Sequence, residues 1–261
     1  MDFEIIHIDE TDSTNRWLRN LLATDERGRT RRDDFNEVQK DIREDPCQSD
    51  ANIIVVAGYQ TAGKGCGKNS WESERGKNLT FSMLIHPDTI PANQQFRITE
   101  IVSVALCETL KPYIYNKVEI KWPNDIYVGD KKICGILIEN RLQGNTIKDS
   151  IIGIGLNVNQ QHFVSDAPNP VSLYQLIGHE TPLDEILNRF LAVFSVIYKS
   201  KTTCFAYKEI LFRKGKDSLY KDKTTCFTAR LMDVLPDGRL LLVDKDGQER
   251  LYAFKEVEFV I

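Results

Sequence analysis

Residues 117–139 read KVEIKWPNDIYVGDKKICGILIE. Alternation puts Val118, Ile120 and Trp122 on one face of a strand, with Lys117, Glu119 and Lys121 on the other. Pro123 cannot continue a central ladder, so the strand stops or bulges there and projects Asn124 and Asp125 into a loop. Ile126 to Val128 and Ile133 to Glu139 then form a hairpin around Gly129-Asp130. An acid and an amide at a strand end suit magnesium and nucleotide hydroxyl or phosphate contacts; an Asx turn is the alternative reading. Beyond the turn, Ile133, Gly135 and Leu137 share one face, and Lys132 begins an apolar row with Cys134, Ile136 and Ile138. A lysine on such a surface either finds an anionic partner or snorkels outward from the strand end. Gly135 removes a side chain where something flat could approach.

The same logic extends upstream and downstream. Asn52 to Ala57 is a short apolar strand feeding the glycine-rich segment Gly58 to Asn78, and Leu79 to Ile85 resumes as a strand. Gly58 to Lys64 imitates a phosphate-binding P-loop. It fails because Gly65 replaces the Ser or Thr that would hold magnesium, and because residues 66–78 supply no amphipathic helix. Gly63, Gly65 and Gly67 with Lys64 and Lys68 still suit an anion approached by backbone N–H groups, or else a flexible surface loop. Gly153-Ile154-Gly155-Leu156-Asn157 lacks the third glycine and following helix of a dinucleotide fingerprint. Small residues in a strand let a ligand or another backbone lie against it.

Phe3 to Ile8 reads as a strand. Thr11 to Thr14 then offers N-caps for a helix with the stripe Trp17, Leu18, Leu21 and Leu22. Residues 23–50 form a polar insertion of mixed charge. A helix over 93–110, a strand over Ser150 to Val158 and a helix with Leu183, Ile186, Leu187, Phe190, Leu191, Phe194 and Ile197 on one face follow. From about 217 short β segments with turns at Pro236-Asp237-Gly238 and Asp244 to Gly247 indicate a separate small barrel. The expected class is α+β, with domains at 1–214 and 215–261. At 261 residues with 41% apolar content, the chain buries a substantial core. Its net charge of -4 gives no global basic field for nucleic acid. Met1 to Glu10 carries acids within its apolar run, unlike a signal peptide or membrane span, so a cytoplasmic protein is expected. Six cysteines without a C-x-x-C pair and four scattered histidines suit reduced thiols better than a disulfide framework or zinc site.

Thr11-Asp12-Ser13-Thr14-Asn15, Gln60 to Gly65, Trp71, Lys121 to Asp125, Lys132 to Leu137 and Gly153 to Asn157 occur in an order that resembles biotin–protein ligases. The resemblance covers residues 5–160, and the β-rich C-terminus is similar to that family's terminal domain. It implies a central mixed β-sheet flanked by helices, related to class II aminoacyl-tRNA synthetases, with a small C-terminal SH3-like β-barrel. It implies ATP-dependent activation of biotin to biotinyl-5'-AMP, with magnesium, then transfer to one lysine of a biotin carboxyl carrier protein or domain of acetyl-CoA or related carboxylases. Ser13, Thr14, Gln60, Gly63, Lys64, Lys132, Gly135, Leu137, Gly153 and Gly155 would bind biotin. Trp71, Asn124, Asp125, Lys132 and Asn157 would serve ATP, with Asp125 on magnesium. Lys132, Lys64, Asp125 and Lys121 would carry the chemistry, either Asp125 or Lys121 assisting deprotonation of the acceptor amine. A lipoate–protein ligase, the related alternative, fits the KWPND and K-x-x-G-I-L pair less well. Where the family's loop carries arginines, GRGR, this one reads Gly63-Lys64-Gly65-Cys66, and lysine lacks arginine's bidentate fork. Weaker retention of the adenylate is therefore expected. Some members carry a DNA-binding repressor domain, whereas this chain enters the catalytic pattern within ten residues, so no DNA binding and no membrane association are expected. The enzyme would act as a monomer or homodimer.

Overall fold

The computed structural model describes residues 1–25, 52–67, 69–87, 89–164, 169–200 and 202–261. Most of the expected 23–50 insertion, and Lys68, lie outside the described residues. The main sheet has seven strands in the order β1-β2-β3-β7-β6-β5-β4. These are β1 (Phe3–Thr11), β2 (Asn52–Gln60), β3 (Leu79–Ile85), β4 (Val118–Lys121), β5 (Asp125–Val128), β6 (Lys131–Gln143) and β7 (Thr146–Leu156). Only β1 and β2 pair in parallel, so the sheet is mixed.

The two faces of this sheet have different fates, and pairing register shows which residues share each. Leu79, Phe81, Met83 and Ile85 of β3 fall with Ile152, Ile154 and Leu156 of β7 and with Cys134 and Ile136 of β6. Helices α2 (Phe96–Leu110) and α4 (Leu183–Tyr198) bury that face. Both helices are apolar along one side because every third or fourth residue meets the sheet; Phe190 packs edge-on against Phe81. The opposite face carries Thr80 and Ser82 between those apolar residues, and on it α1 (Thr14–Asp25) covers only one end. There Leu18 is buried with Ile53, Val55, Leu84 and Ile151, flanked by Trp17, Leu21 and Leu22. The expected helical stripe is thus the one that packs.

Two short helices, α3 (Leu173–Ile177) and α5 (Thr203–Glu209), and a 3-10 turn at Ala92–Gln94 complete the helical set among the described residues. Ser172 caps α3 with a capping box, and Gly178 ends it in the left-handed region. The C-terminal segment folds as an antiparallel sheet in the order β11-β10-β9-β8-β12. Its strands are β8 (Asp217–Asp222), β9 (Cys226–Val234), β10 (Leu240–Asp244), β11 (Glu249–Tyr252) and β12 (Val257–Phe259). It docks on the main sheet where β4 ends. Trp122 Nε1 donates to the Gly238 carbonyl at 2.8 Å. A Cβ on Gly238, which has φ +87°, would strike the Phe96 ring. Among the described residues no helix is long and apolar enough to cross a membrane.

Candidate active site

The part of the second face left open by α1 is floored by glycine. Register aligns Ser82 with Gly153 and Leu137 in one row, and Thr80 with Gly155, Gly135, Asp125 and Lys121 in the next. These residues belong to five different strands, yet they share a face because paired residues point the same way. Three neighbouring positions on that face have no side chain.

Lys132 enters this face through a β-bulge. Ile126 pairs with Cys134, but Tyr127 pairs with Lys132, so one extra residue, Ile133, is accommodated in β6. A bulge reverses facing on one side of it. Lys132 therefore does not head the apolar row of Cys134 and Ile136, as simple alternation expects; it stands with Gly135 and Asp125. Its Nζ lies 2.8 Å from Asp125 Oδ1, both side chains being about a quarter exposed. A Cβ on Gly135 would lie 3.2 Å from that Nζ. The anionic partner required for a lysine in this setting is Asp125.

Asp125 and Asn124 also differ from expectation. The Trp122–Pro123 peptide is cis, and Asp125 is already the first residue of β5, paired with Lys121. No free loop intervenes. Asn124 accepts from Ile136 N–H at 3.2 Å through its carbonyl, and its side-chain amide donates to the Ile136 carbonyl. It straps the turn to β6, so its amide is spent on the protein. Lys121, half-buried between the sheets, has its ammonium over the Tyr127 ring at 5.1 Å and the Phe259 ring at 5.4 Å. Loss of solvation lowers its pKa; Lys132 and Arg213 act in the same direction, while Asp125 and Glu258 oppose.

The glycine loop is a small hairpin. Lys64 bridges Ser70, Gly65 N–H donates to Asn69 O at 2.8 Å, and Trp71 N–H donates to Gly63 O at 2.9 Å. Gly63 is required because a Cβ there would press on the Trp71 carbonyl at 2.7 Å. The Gly65 N–H is thus committed internally instead of being presented to an anion, and Lys64 is exposed. This hairpin swings Trp71 back over the sheet. A Cβ on Gly155 would overlap the indole, and one on Gly135 would sit 3.1 Å from it. The Lys132 ammonium lies 5.7 Å from the ring centroid. Glu72 accepts from Gln160 and from Val164 N–H, which fixes the residue beside Trp71. The indole Nε1 is buried without a hydrogen-bond partner.

At the other end of the trough the N-terminus of α1 brings a polar chain. Gln60 Oε1 accepts from Thr14 N–H at 2.9 Å and from Thr14 Oγ1 at 3.1 Å. Ser82 Oγ lies 2.7 Å from Thr14 Oγ1 and 2.6 Å from Asn15 Oδ1. Asn15 Nδ2 donates to Glu139 Oε2 at 2.9 Å. Ser13 is buried beside them. Because both Gln60 bonds use its oxygen, its Nε2 is directed elsewhere, 3.3 Å from where a Gly63 Cβ would be. Asn15 and Ser82 were not among the expected site residues. Asn15 lies over Gly153 so closely that any Cβ there would overlap Oδ1, which makes Asn15 the wall at that point. The signal for Ser82 was available in LTFSMLI, where Thr80 and Ser82 alternate with apolar residues. Asn157, continuing the parity of Gly153 and Gly155, donates to Val171 O at 3.1 Å and keeps a buried Oδ1 without a partner.

A cation–carboxylate pair, a glycine floor, an aromatic cover and a hydrogen-bonding end wall define a class of site suited to an elongated ligand with an acidic group. As a metal site it is incomplete. Lys132 already holds Asp125, and among the described residues no three His, Cys, Asp or Glu side chains gather around one point. Magnesium here would need oxygens brought by a nucleotide.

Residues 34–157 match the model of the Biotin/lipoate A/B protein ligase family. It is 29% identical over 211 residues to the bifunctional ligase/repressor BirA of Bacillus spizizenii, covering 77% of this chain and 64% of that protein. The chain thus spans under two thirds of the length of that curated relative. It is 37% identical over 111 residues to the human biotin–protein ligase, 41% of this chain and 15% of that one. The fold matches a biotin protein ligase from Aquifex aeolicus solved with biotin and ATP. The TM-score is 0.73, with 98% of both chains covered at 23% identity.

Proposed function

We propose that the protein is an ATP-dependent biotin–protein ligase, with residues 215–261 as a small C-terminal domain. The observation that carries this reading is the Lys132–Asp125 pair at the edge of a glycine floor whose far end is walled by Thr14, Ser82 and Gln60. A fused-ring urea offers donors and an acceptor to such a wall, its carboxylate needs a cation at the other end, and its hydrocarbon tail reaches the glycine floor once Trp71, which rests on Gly155 and Gly135, swings aside. Of the proteins named above, the human and Aquifex aeolicus ones are biotin–protein ligases, and the latter was solved with biotin and ATP.

In the first step a biotin carboxylate oxygen attacks the α-phosphorus of ATP. A phosphorus–oxygen bond forms, the bond to the bridging oxygen breaks and pyrophosphate leaves. Two anions must approach, so Lys132 exchanges its Asp125 partner for the carboxylate and the α-phosphate and offsets their repulsion. Ser13, Thr14, Gln60 and Gly63 orient the ring system, while Leu137, Gly135, Gly153 and Gly155 shape the tail channel. Trp71 and Asn157 take the adenine side, and Lys64 faces the phosphates from the hairpin. Magnesium brought with those phosphates would be held by Asp125 together with phosphate oxygens and would offset their charge. In the second step the ε-amine of a lysine on a biotin carboxyl carrier domain attacks the acyl carbon, an amide forms and AMP departs. The amine's proton passes to Asp125 or Lys121.

Biotin-dependent exchange of pyrophosphate into ATP tests the reading. Activity is expected with biotin in the wild type and a loss of at least about 100-fold in Lys132→Ala, the scale of a lost charge-assisted contact to a transition state. Exchange with lipoate in place of biotin, or tight biotin binding without exchange, would overturn it.

A further inference from the structure

The turn between β11 and β12 reaches the glycine hairpin. Glu256 N–H donates to Ala253 O at 3.1 Å, and Ala253 N–H donates to Glu256 Oε2 at 2.8 Å, which closes the turn over Phe254 and Lys255. Lys255 adopts φ +68°, a left-handed conformation that is uncommon for a residue with a Cβ. Phe254 packs edge-on against Trp122, whose centroid is 6.5 Å away, so the turn is seated beside the residue that leads into Asp125. From there the Lys255 side chain extends across to the hairpin. A Cβ on Gly67 would overlap its Nζ and lie 3.2 Å from its Cε, and Gly67 itself has φ +74°. Gly67 is open for two reasons at once: its backbone conformation, and the ammonium lying on it.

The neighbourhood of that ammonium is the reaction site. The adjacent Cys66 thiol, raised in pKa chiefly by burial, is surrounded by the charges of Lys255, Asp125 and Lys132. Two ammonium groups and one carboxylate therefore act electrostatically on an uncharged thiol, beside which the Lys255 ammonium lies on Gly67. When Lys132 turns to a substrate, the local balance is positive and calls for an added anion.

We propose that Lys255 is a phosphate-binding residue of this active site, delivered by the C-terminal sheet to the glycine hairpin beside Cys66. The inference rests on the adenylating reading above. It makes the C-terminal sheet a working part of the site, holding the nucleotide phosphates and then the phosphate of the acyl-adenylate.

Three variants test it: Lys255→Met, which keeps length and loses charge; Lys255→Arg, which keeps charge; and Lys255→Met combined with Cys66→Arg, which returns a cation from the hairpin itself. The expected result for Lys255→Met is an ATP KM raised about 10-fold or more in biotin-dependent exchange, the usual scale for a lost charged hydrogen bond. Faster escape of the acyl-adenylate from the isolated complex should accompany it, with Tm and biotin affinity unchanged. Lys255→Arg should stay near wild type, and Cys66→Arg should recover most of the loss. An ATP KM within about twofold of wild type in Lys255→Met, or equal impairment of the Met and Arg variants, would overturn the assignment. Equilibrium binding of ATP alone separates the two layers. If the wild type binds ATP but exchanges with no acid, the ligase reading fails. The Lys255 assignment then stands or falls on whether Lys255→Met weakens that binding.

Discussion

At the residue scale the most constrained positions are the glycines under Trp71. Gly155 lies under the indole with no room for a methyl group, so Gly155→Ala must push Trp71 off the floor. Overpacking of this kind costs about 1–3 kcal/mol. In a Trp71→Ala background the obstacle is gone, and the same glycine replacement should cost under about 0.5 kcal/mol. A double-mutant cycle on urea midpoints checks this; equal costs in both backgrounds would show that Trp71 is not what Gly155 accommodates. Lys121 gives a second prediction. Burial lowers its pKa in the folded protein below the ordinary 10.5 of a lysine. The unfolded chain therefore binds more protons in the window between the folded value and 10.5, and stability must rise with pH across it. Lys121→Met should remove that rise and stabilise the protein at pH values below the window, as urea midpoints from neutral pH to pH 10.5 would show. If Lys121 is the proton acceptor, the transfer-step rate should climb through the same window in wild type alone.

At the element scale, strand and helix placement was legible because periodicity is local: β3 falls on its expected residues, and the hairpin of β5 and β6 turns where Gly129-Asp130 requires. Three features escaped because they depend on partners distant in the chain. The bulge at Ile133 follows from how β6 pairs with β5, and without it alternation assigns Lys132 to the wrong face. The glycine loop reads as an anion cradle until Trp71 is seen folded back onto it. Asn15 belongs to the site only because α1 starts above β7. The polar chain from Gln60 to Glu139 can be tested as a unit. Ser82→Ala leaves the Asn15 carbonyl and the Thr14 hydroxyl with one partner fewer in a buried setting, which costs about 1–3 kcal/mol. Biotin binding should weaken by at least about 10-fold because Gln60 and Thr14 lose their orientation. Calorimetric titration of biotin into Ser82→Ala decides this, and an unchanged affinity would move the ligand wall away from this chain.

At the scale of the whole molecule, the two sheets share one apolar core. Tyr220, Leu231, Val234, Leu240 and Leu242 of the C-terminal sheet belong to the same buried cluster as Ile120, Trp122 and Ile126. An aromatic series crosses the junction from Tyr127 to Phe212, Phe259, Tyr220 and Phe227. The C-terminal sheet on its own would expose the residues it buries against β4 and β5, and the main sheet would expose Trp122 and Lys121. Separate unfolding would lose that shared burial on both sides, so the described core should melt as one cooperative unit even though the sequence divides near residue 215. Leu231 is fully buried at this shared core. Leu231→Ala should cost about 2–5 kcal/mol, lowering a single Tm by roughly 5–15 °C for a chain of this size. Far-ultraviolet circular dichroism and tryptophan fluorescence should follow coincident transitions in wild type and variant, because every tryptophan lies outside the C-terminal sheet. A Leu231→Ala protein whose fluorescence transition stays at the wild-type temperature while part of the dichroism melts early would show that the junction does not couple the two sheets. It would also remove the fixed platform from which Lys255 is held over the glycine hairpin.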